Sequence, residues 1–128
     1  MGFKFGTASL DHMFGIDAKL IRIAHRAIEI SKIDFGIPET GGVRSDKVQY
    51  GLFAKGASKC DGKNERSKHQ DKLALDFYAY VDNAASWAPE HLAQIAAAFL
   101  QAALELGYEI QWGGLFSSWS DMPHVELV

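Results

Sequence analysis

Between Pro89 and Gly107 the sequence carries one continuous apolar stripe at helical spacing, made of Leu92, Ile95, Ala96, Phe99, Ala103 and Leu106. Pro89 suits a first helical turn, where its missing N–H costs nothing, and Gly107 suits the left-handed residue that ends a helix. Such a stripe has to be buried, so the remaining elements must pack around it. From Asp17, placed as an N-cap, Leu20, Ile23, Ala24, Ala27 and Ile30 predict a second helix. Ile33 to Ile37 reads as a short strand, broken by Pro38 and the Gly41-Gly42 pair. Gln49 to Gly56 reads as a short helix, and the small, polar and charged residues 57–66 read as a loop. Leu73 to Tyr80 predicts a strand with Leu73, Leu75 and Phe77 on one face. Asp76 then points to the opposite face, beside Ala74 and Tyr78. Tyr108 to Trp112 predicts another strand, running into the Gly113-Gly114 turn. This order predicts one α+β domain over residues 1–128, a small, mostly antiparallel sheet flanked by helices.

A chain of 128 residues is long enough for that core. Area scaling leaves roughly 6,700 Å² exposed of about 20,000 Å² in the extended chain. With 48% hydrophobic and 23% charged residues the chain belongs with globular rather than disordered sequences. A single cysteine excludes a fold built on internal disulfides. The net charge of −3 excludes a phosphate-gripping field, so no nucleic-acid partner is expected. Lysine and arginine are scattered, apart from a cluster between Lys55 and Lys72. The N-terminus has no basic segment followed by an apolar one, and Gly6 stands where a myristoylation signal has Ser or Thr. The apolar stretch around Leu92 to Leu106 contains Gln94, Gln101 and Glu105, too polar and too short to span a bilayer. No membrane insertion is expected, and the chain is expected to stay in the cytoplasm unless something else moves it.

Nearly all the possible chemistry lies in two segments. The first runs from Ser67 through His69 to Asp76, a histidine before a strand and an aspartate within it. The second runs from Trp112 through Asp121 and His124 to Glu126. Two imidazoles and one carboxylate form a three-ligand set that leaves one position open on a zinc ion, the catalytic arrangement. Nitrogen mixed with carboxylate oxygen suits zinc better than magnesium or calcium. Asp121, three residues before His124, is placed to accept a proton from water at the open position. Spacing by itself also admits a plainer reading. A chain with five histidines and sixteen acids offers His–acid pairs by chance, and a hydrogen-bonded structural histidine is the common fate of any one.

The wording of the two segments resembles the zinc peptidases of bacterial cell walls, comprising D-alanyl-D-alanine carboxypeptidases and phage L-alanyl-D-glutamate endopeptidases. That family's first motif is Ser-x-His-x-x-Gly-x-Ala-x-Asp, matched by Ser67, His69, Ala74 and Asp76. Its second motif places an acid three residues before a histidine, matched by Asp121 and His124, with Glu126 following. Trp112-Gly113-Gly114 looks like the segment preceding it in phage members. Gly42-Val-Arg44, Gln49 and Gly56-Ala-Ser58 are similar to the family's Gly-x-Arg region and the loop after it. Two departures stand out: Lys72 replaces the usual glycine, so the turn after His69 must be made differently, and Val125 replaces the common aromatic.

The resemblance implies the fold of zinc D-Ala-D-Ala peptidases and Hedgehog-like domains. It implies Zn2+ as cofactor, held by His69, Asp76 and His124. Asp121 becomes general base and later proton donor, and Arg44 the holder of the developing oxyanion. It further implies an endolysin that uses metal-activated water to cut the L-alanyl-D-glutamate bond of peptidoglycan stem peptides. Such an enzyme would accumulate in the host cytoplasm, reach the wall after membrane permeabilisation, and act as a monomer. The alternatives are a D-alanyl-D-alanine carboxypeptidase or dipeptidase, and a catalytically silent, zinc-stabilised wall-binding module. A carboxypeptidase needs a cation for the terminal carboxylate. Of Arg44, Arg66, Lys68 and Lys72, none besides Arg44 has an evident role, which favours the internal cut.

Residues outside the motifs have plainer roles. His12 fits neither motif, and His25 and His91 read as surface or packing residues. Cys60 reads as a loop bystander, and Ser67 as a hydrogen-bonding neighbour of His69. Glu126 is either an acceptor for a ligand imidazole or a charge at a strand edge. Trp87, Trp112 and Trp119 belong to core or rim, with Trp119 near enough to the second motif to pack against substrate.

Overall fold

The structure is a computed structural model that describes residues 2–117 and 119–128. Met1, where the N-terminal signal reading begins, and Ser118, inside the second motif-bearing segment, lie outside the described residues. Two helices form the spine. Helix α4, Pro89–Leu106, ends at Gly107 in the left-handed conformation, with φ of 81°. It packs along α2, Ala18–Ile30, whose N-cap Asp17 accepts a hydrogen bond from the Lys19 amide. Leu20, Ile23, Ala24 and Ala27 of α2 meet Leu92, Ile95, Ala96, Phe99 and Ala103 of α4 in one buried cluster. Leu106, read as the end of the stripe, is instead exposed. No helix among the described residues is long and apolar enough to cross a membrane.

Two three-stranded antiparallel sheets cover this spine. One has the order β1-β3-β4 (Asp34–Gly36, Tyr78–Val81, Ala84–Ser86), the other β2-β6-β5 (Ala74–Asp76, His124–Leu127, Ile110–Trp112). The strand expected over Leu73 to Tyr80 is therefore two strands in two sheets. The chain changes sheet at Phe77, whose amide donates to the Pro123 carbonyl while its ring stacks on Phe99 at 5.2 Å. Periodicity runs unbroken through the change because the alternation of buried and open faces continues. Three elements carried no clear sequence signal. They are α1 (Thr7–Met13), β4 with its Asp82-Asn83 turn, and β6. Both turn residues have positive φ, 52° and 63°, the left-handed pair that closes a two-residue hairpin. The short helix begins earlier than read: α3 spans Asp46–Ala54 and is capped by Ser45.

The turn between His69 and β2 corrects one expectation. Lys72 takes φ of 66°, the left-handed conformation that glycine enters freely, so the turn that suits glycine is made with a lysine. A side chain there costs about 1 kcal/mol, partly offset because glycine would loosen the unfolded chain. Lys72→Gly should therefore stabilise the protein by roughly 0.5 kcal/mol, read as a higher urea midpoint at unchanged slope. A lower midpoint would mean that the Lys72 side chain contributes contacts that outweigh the backbone strain.

Candidate active site

The site is built on the register of the second sheet. Asp76, the last residue of β2, lies directly opposite His124, the first residue of β6. Ala74 lies opposite Glu126, and with nothing beyond Cβ it leaves room for that longer side chain on the face shared with His124. His69 arrives from the turn before β2. Its amide donates to the Ser67 hydroxyl at 3.1 Å, the bonding role expected of Ser67.

Three ligand atoms converge. His69 Nε2 lies 3.2 Å from Asp76 Oδ1 and 3.3 Å from His124 Nδ1, and His124 Nδ1 lies 3.1 Å from Asp76 Oδ1. Ligand atoms around a tetrahedral zinc at about 2.0–2.1 Å are separated by about 3.3 Å. The triangle fits that ion. The far side of each ring supports the fit. His69 Nδ1 faces the Gly42 carbonyl at 2.9 Å, and a carbonyl only accepts, so Nδ1 carries the proton and Nε2 keeps its lone pair. His124 Nε2 donates to Glu126 Oε1 at 2.8 Å, which turns Nδ1 toward the triangle. Glu126 is thus the imidazole acceptor, and since β6 is the central strand of its sheet, it is no edge charge.

The electrostatics follow from burial and close pairing. Burial pushes the Asp76 carboxyl up, but the two imidazoles hold it well below the usual carboxylate range. Burial pulls His124 down, yet hydrogen bonds to Asp76 and Glu126 win and raise it to about 9. The same bond to His124 holds Glu126 low against its own burial. Asp121 is pushed above its ordinary value by burial first and the Asp76 charge second. Its Oδ2 stands 3.8 Å from His124 Nδ1, beside the triangle but too far to be hydrogen-bonded to it.

Asp121 is positioned by glycines. Its amide donates to the Gly113 carbonyl at 2.9 Å, and a Cβ at Gly113 would collide with the Asp121 carbonyl. A Cβ at Gly114 would run into the Trp112 ring, whose Nε1 donates to the Met122 carbonyl. The Trp-Gly-Gly segment thus serves as a close-packed base for the loop carrying Asp121.

Arg44 is nearly buried and donates to the Thr40 carbonyl, to Gln49 Oε1 and, at 3.0 Å, to Asp76 Oδ2. Of its five N–H groups these bonds take three. Burial lowers its pKa, opposed by the charges of Asp76 and Asp121. Gln49, fully buried, completes the network by donating to Ser58 Oγ and the Cys60 carbonyl, tying the 57–66 loop to α3. The sequence places Gln49 in a motif region without a task, and no local pattern marks it as buried.

The triangle, Arg44, Asp121 and Glu126 open onto one cleft of about 530 Å³, walled by Lys59, Trp87, Phe116 and Trp119. Trp87 and Trp119 are rim residues, and Cys60 lines the cleft without approaching the triangle as a ligand. His12 bonds the Ile37 carbonyl, His25 packs against Phe5, and His91 bonds Ser86 Oγ, all outside the cleft.

The model of a family described as phage L-alanyl-D-glutamate peptidase matches residues 1–128. A relative, the L-alanyl-D-glutamate peptidase of Escherichia phage T5, is 31% identical over 140 residues, covering 100% of both chains. The crystal structure of the Serratia marcescens L-Ala D-Glu endopeptidase ChiX superposes with a TM-score of 0.86 at 31% identity, covering 99% of this chain and 91% of that one. With its α+β fold, its His–Asp–His triangle and a match along its whole length, this chain belongs to the phage L-alanyl-D-glutamate peptidase family.

Proposed function

We propose that residues 1–128 form one endolysin-type peptidase domain that hydrolyses the L-alanyl-D-glutamate bond of peptidoglycan stem peptides, with zinc held by His69, Asp76 and His124. The observation that carries this reading is the triangle of donor atoms from His69, Asp76 and His124 with the Asp121 carboxylate beside it in the same cleft. Zinc at such a site supplies Lewis acidity, enough to make water a nucleophile near neutral pH. The protein's own groups do the rest. Asp121 accepts the proton from the attacking water, whose oxygen bonds to the alanyl carbonyl carbon. Asp121 then hands that proton to the glutamyl nitrogen as the C–N bond breaks. Arg44, which lines the cleft with two N–H groups left to donate, stabilises the negative charge that develops on the carbonyl oxygen. Gly42 and Glu126 hold the imidazoles in the ligating tautomer. The reading includes a monomer that accumulates in the host cytoplasm and meets the wall once the membrane is permeabilised.

Purified peptidoglycan digested with the enzyme, with products read by mass spectrometry, tests the reaction. Stem peptides beginning with D-glutamate are expected, with L-alanine left on the glycan. Free D-alanine as the main product would replace this reading with a carboxypeptidase. No cleavage at all would favour the silent module.

Zinc binding should also be strongly pH-dependent. His124 is raised to about 9 in the metal-free protein, so near neutrality the ion must displace a proton from Nδ1. Apparent affinity should rise about tenfold per pH unit up to about 9 and level off above it. In the metal-free protein the sign is reversed. The stability that protonated His124 contributes is fully present below its unfolded value of 6.5 and is lost as pH rises through about 9. Titration calorimetry in buffers of differing ionisation enthalpy checks this: a binding enthalpy independent of buffer would contradict it.

A further inference from the structure

Resting on the peptidase reading, we infer that Lys59, seated over Trp119, reads the free carboxylate of the glutamate that follows the scissile bond. A glutamate acylated on its nitrogen keeps two carboxyl groups, and only one can continue the peptide. The other is an anion within one residue of the reacting carbonyl. The cleft supplies four cations: Arg44, Lys59, Arg66 and Lys68. Two are committed, Arg44 to Asp76 and Arg66 to Asp71 and Asp46. Among the described residues, Lys59 and Lys68 have no carboxylate within salt-bridge reach.

Lys59 differs from Lys68 in being held in place. Its Nζ lies 5.1 Å from the centroid of the Trp119 ring, and Trp119 is half-exposed. That pair joins two loops that both line the cleft. It is also close to the chemistry from both sides. Trp119 precedes Asp121 by two residues, at most about 7 Å of chain. Lys59 is followed by Cys60, whose carbonyl is bonded to Gln49 and so linked to Arg44. An extended substrate advances about 3.3 Å per residue, so a carboxylate on the residue after the cut lies one step from the triangle, in the cleft that Lys59 lines. The acids of the cleft, Asp76, Asp121 and Glu126, cluster at the triangle, leaving the Lys59 wall free for an anion.

The test uses two synthetic L-alanyl-D-glutamyl peptides, identical except that the carboxyl not used in the chain is free in one and amidated in the other. Wild type should prefer the free acid by about tenfold in kcat/KM, the worth of one charge-assisted hydrogen bond at a half-open site. Lys59→Gln should abolish the preference between the two peptides, chiefly through KM on the free acid, and leave the zinc content unchanged. Lys68→Gln should keep the preference. An unchanged preference in Lys59→Gln, an equal loss on both peptides, or loss of preference in Lys68→Gln instead would overturn the assignment to Lys59. Wild type cutting both peptides equally overturns the carboxylate reading alone. Wild type cutting neither overturns the peptidase reading and this inference with it.

Discussion

His69→Ala, Asp76→Ala and His124→Ala should each lose the bound equivalent of zinc and, with it, hydrolysis. The three donor atoms stand 3.1–3.3 Å from one another, so each is one corner of the only face that can hold the ion among the described residues. Losing a partner hydrogen-bonded to a ligand costs 10- to about 100-fold in affinity; losing the ligand itself should cost more than about 100-fold. Elemental analysis after dialysis measures the zinc, and circular dichroism measures the fold. Asp76→Ala has a second consequence, because it strips the nearly buried Arg44 of its anion. Asp76→Asn keeps the shape and an acceptor oxygen, and should fold while still losing zinc. A full equivalent of zinc retained by any of the three alanine variants would remove that residue from the ligand set.

Asp121→Ala should keep zinc and fold but lose about 10²- to 10⁴-fold in kcat, the usual worth of positioned proton transfer. At 3.8 Å from His124 Nδ1, Asp121 neither ligates nor orients a ligand, so its removal leaves the triangle intact. Burial and the Asp76 charge raise its pKa, which makes it a better proton acceptor than an exposed aspartate. KM should change little, since the side chain acts on the water rather than on the bound peptide. A near-normal turnover would move the base elsewhere. Glu126 is then a poor substitute, because its carboxylate is committed to His124 Nε2 at 2.8 Å.

Much of this architecture is legible in local sequence. The stripe from Leu92 to Ala103, the Asp17 cap and the Gly107 stop specify α2 and α4 without reference to the rest of the chain, because periodicity and capping act within a few residues. The motif residues His69, Asp76, Asp121 and His124 are legible as types at spacings, and the structure brings all four to one cleft. Arg44, read as an oxyanion holder from resemblance, is there too, but its bond to Asp76 has no local signal.

Tertiary pairing decided the rest. Leu73 to Tyr80 alternates like one strand, yet its halves pair with different partners, and only the competition between β1 and β6 for hydrogen bonds divides it at Phe77. That β6 is a central strand, and that Asp76 faces His124 across 48 residues of chain, depends on register. A slip of one residue would turn His124 and Glu126 to the other face of the sheet and abolish the triangle. The same holds for Lys59 and Trp119, which no spacing relates and which meet where two loops line one cleft. Local sequence chose the donors and the helices. Long-range strand pairing, whose partners lie beyond the reach of any local pattern, chose where those donors point.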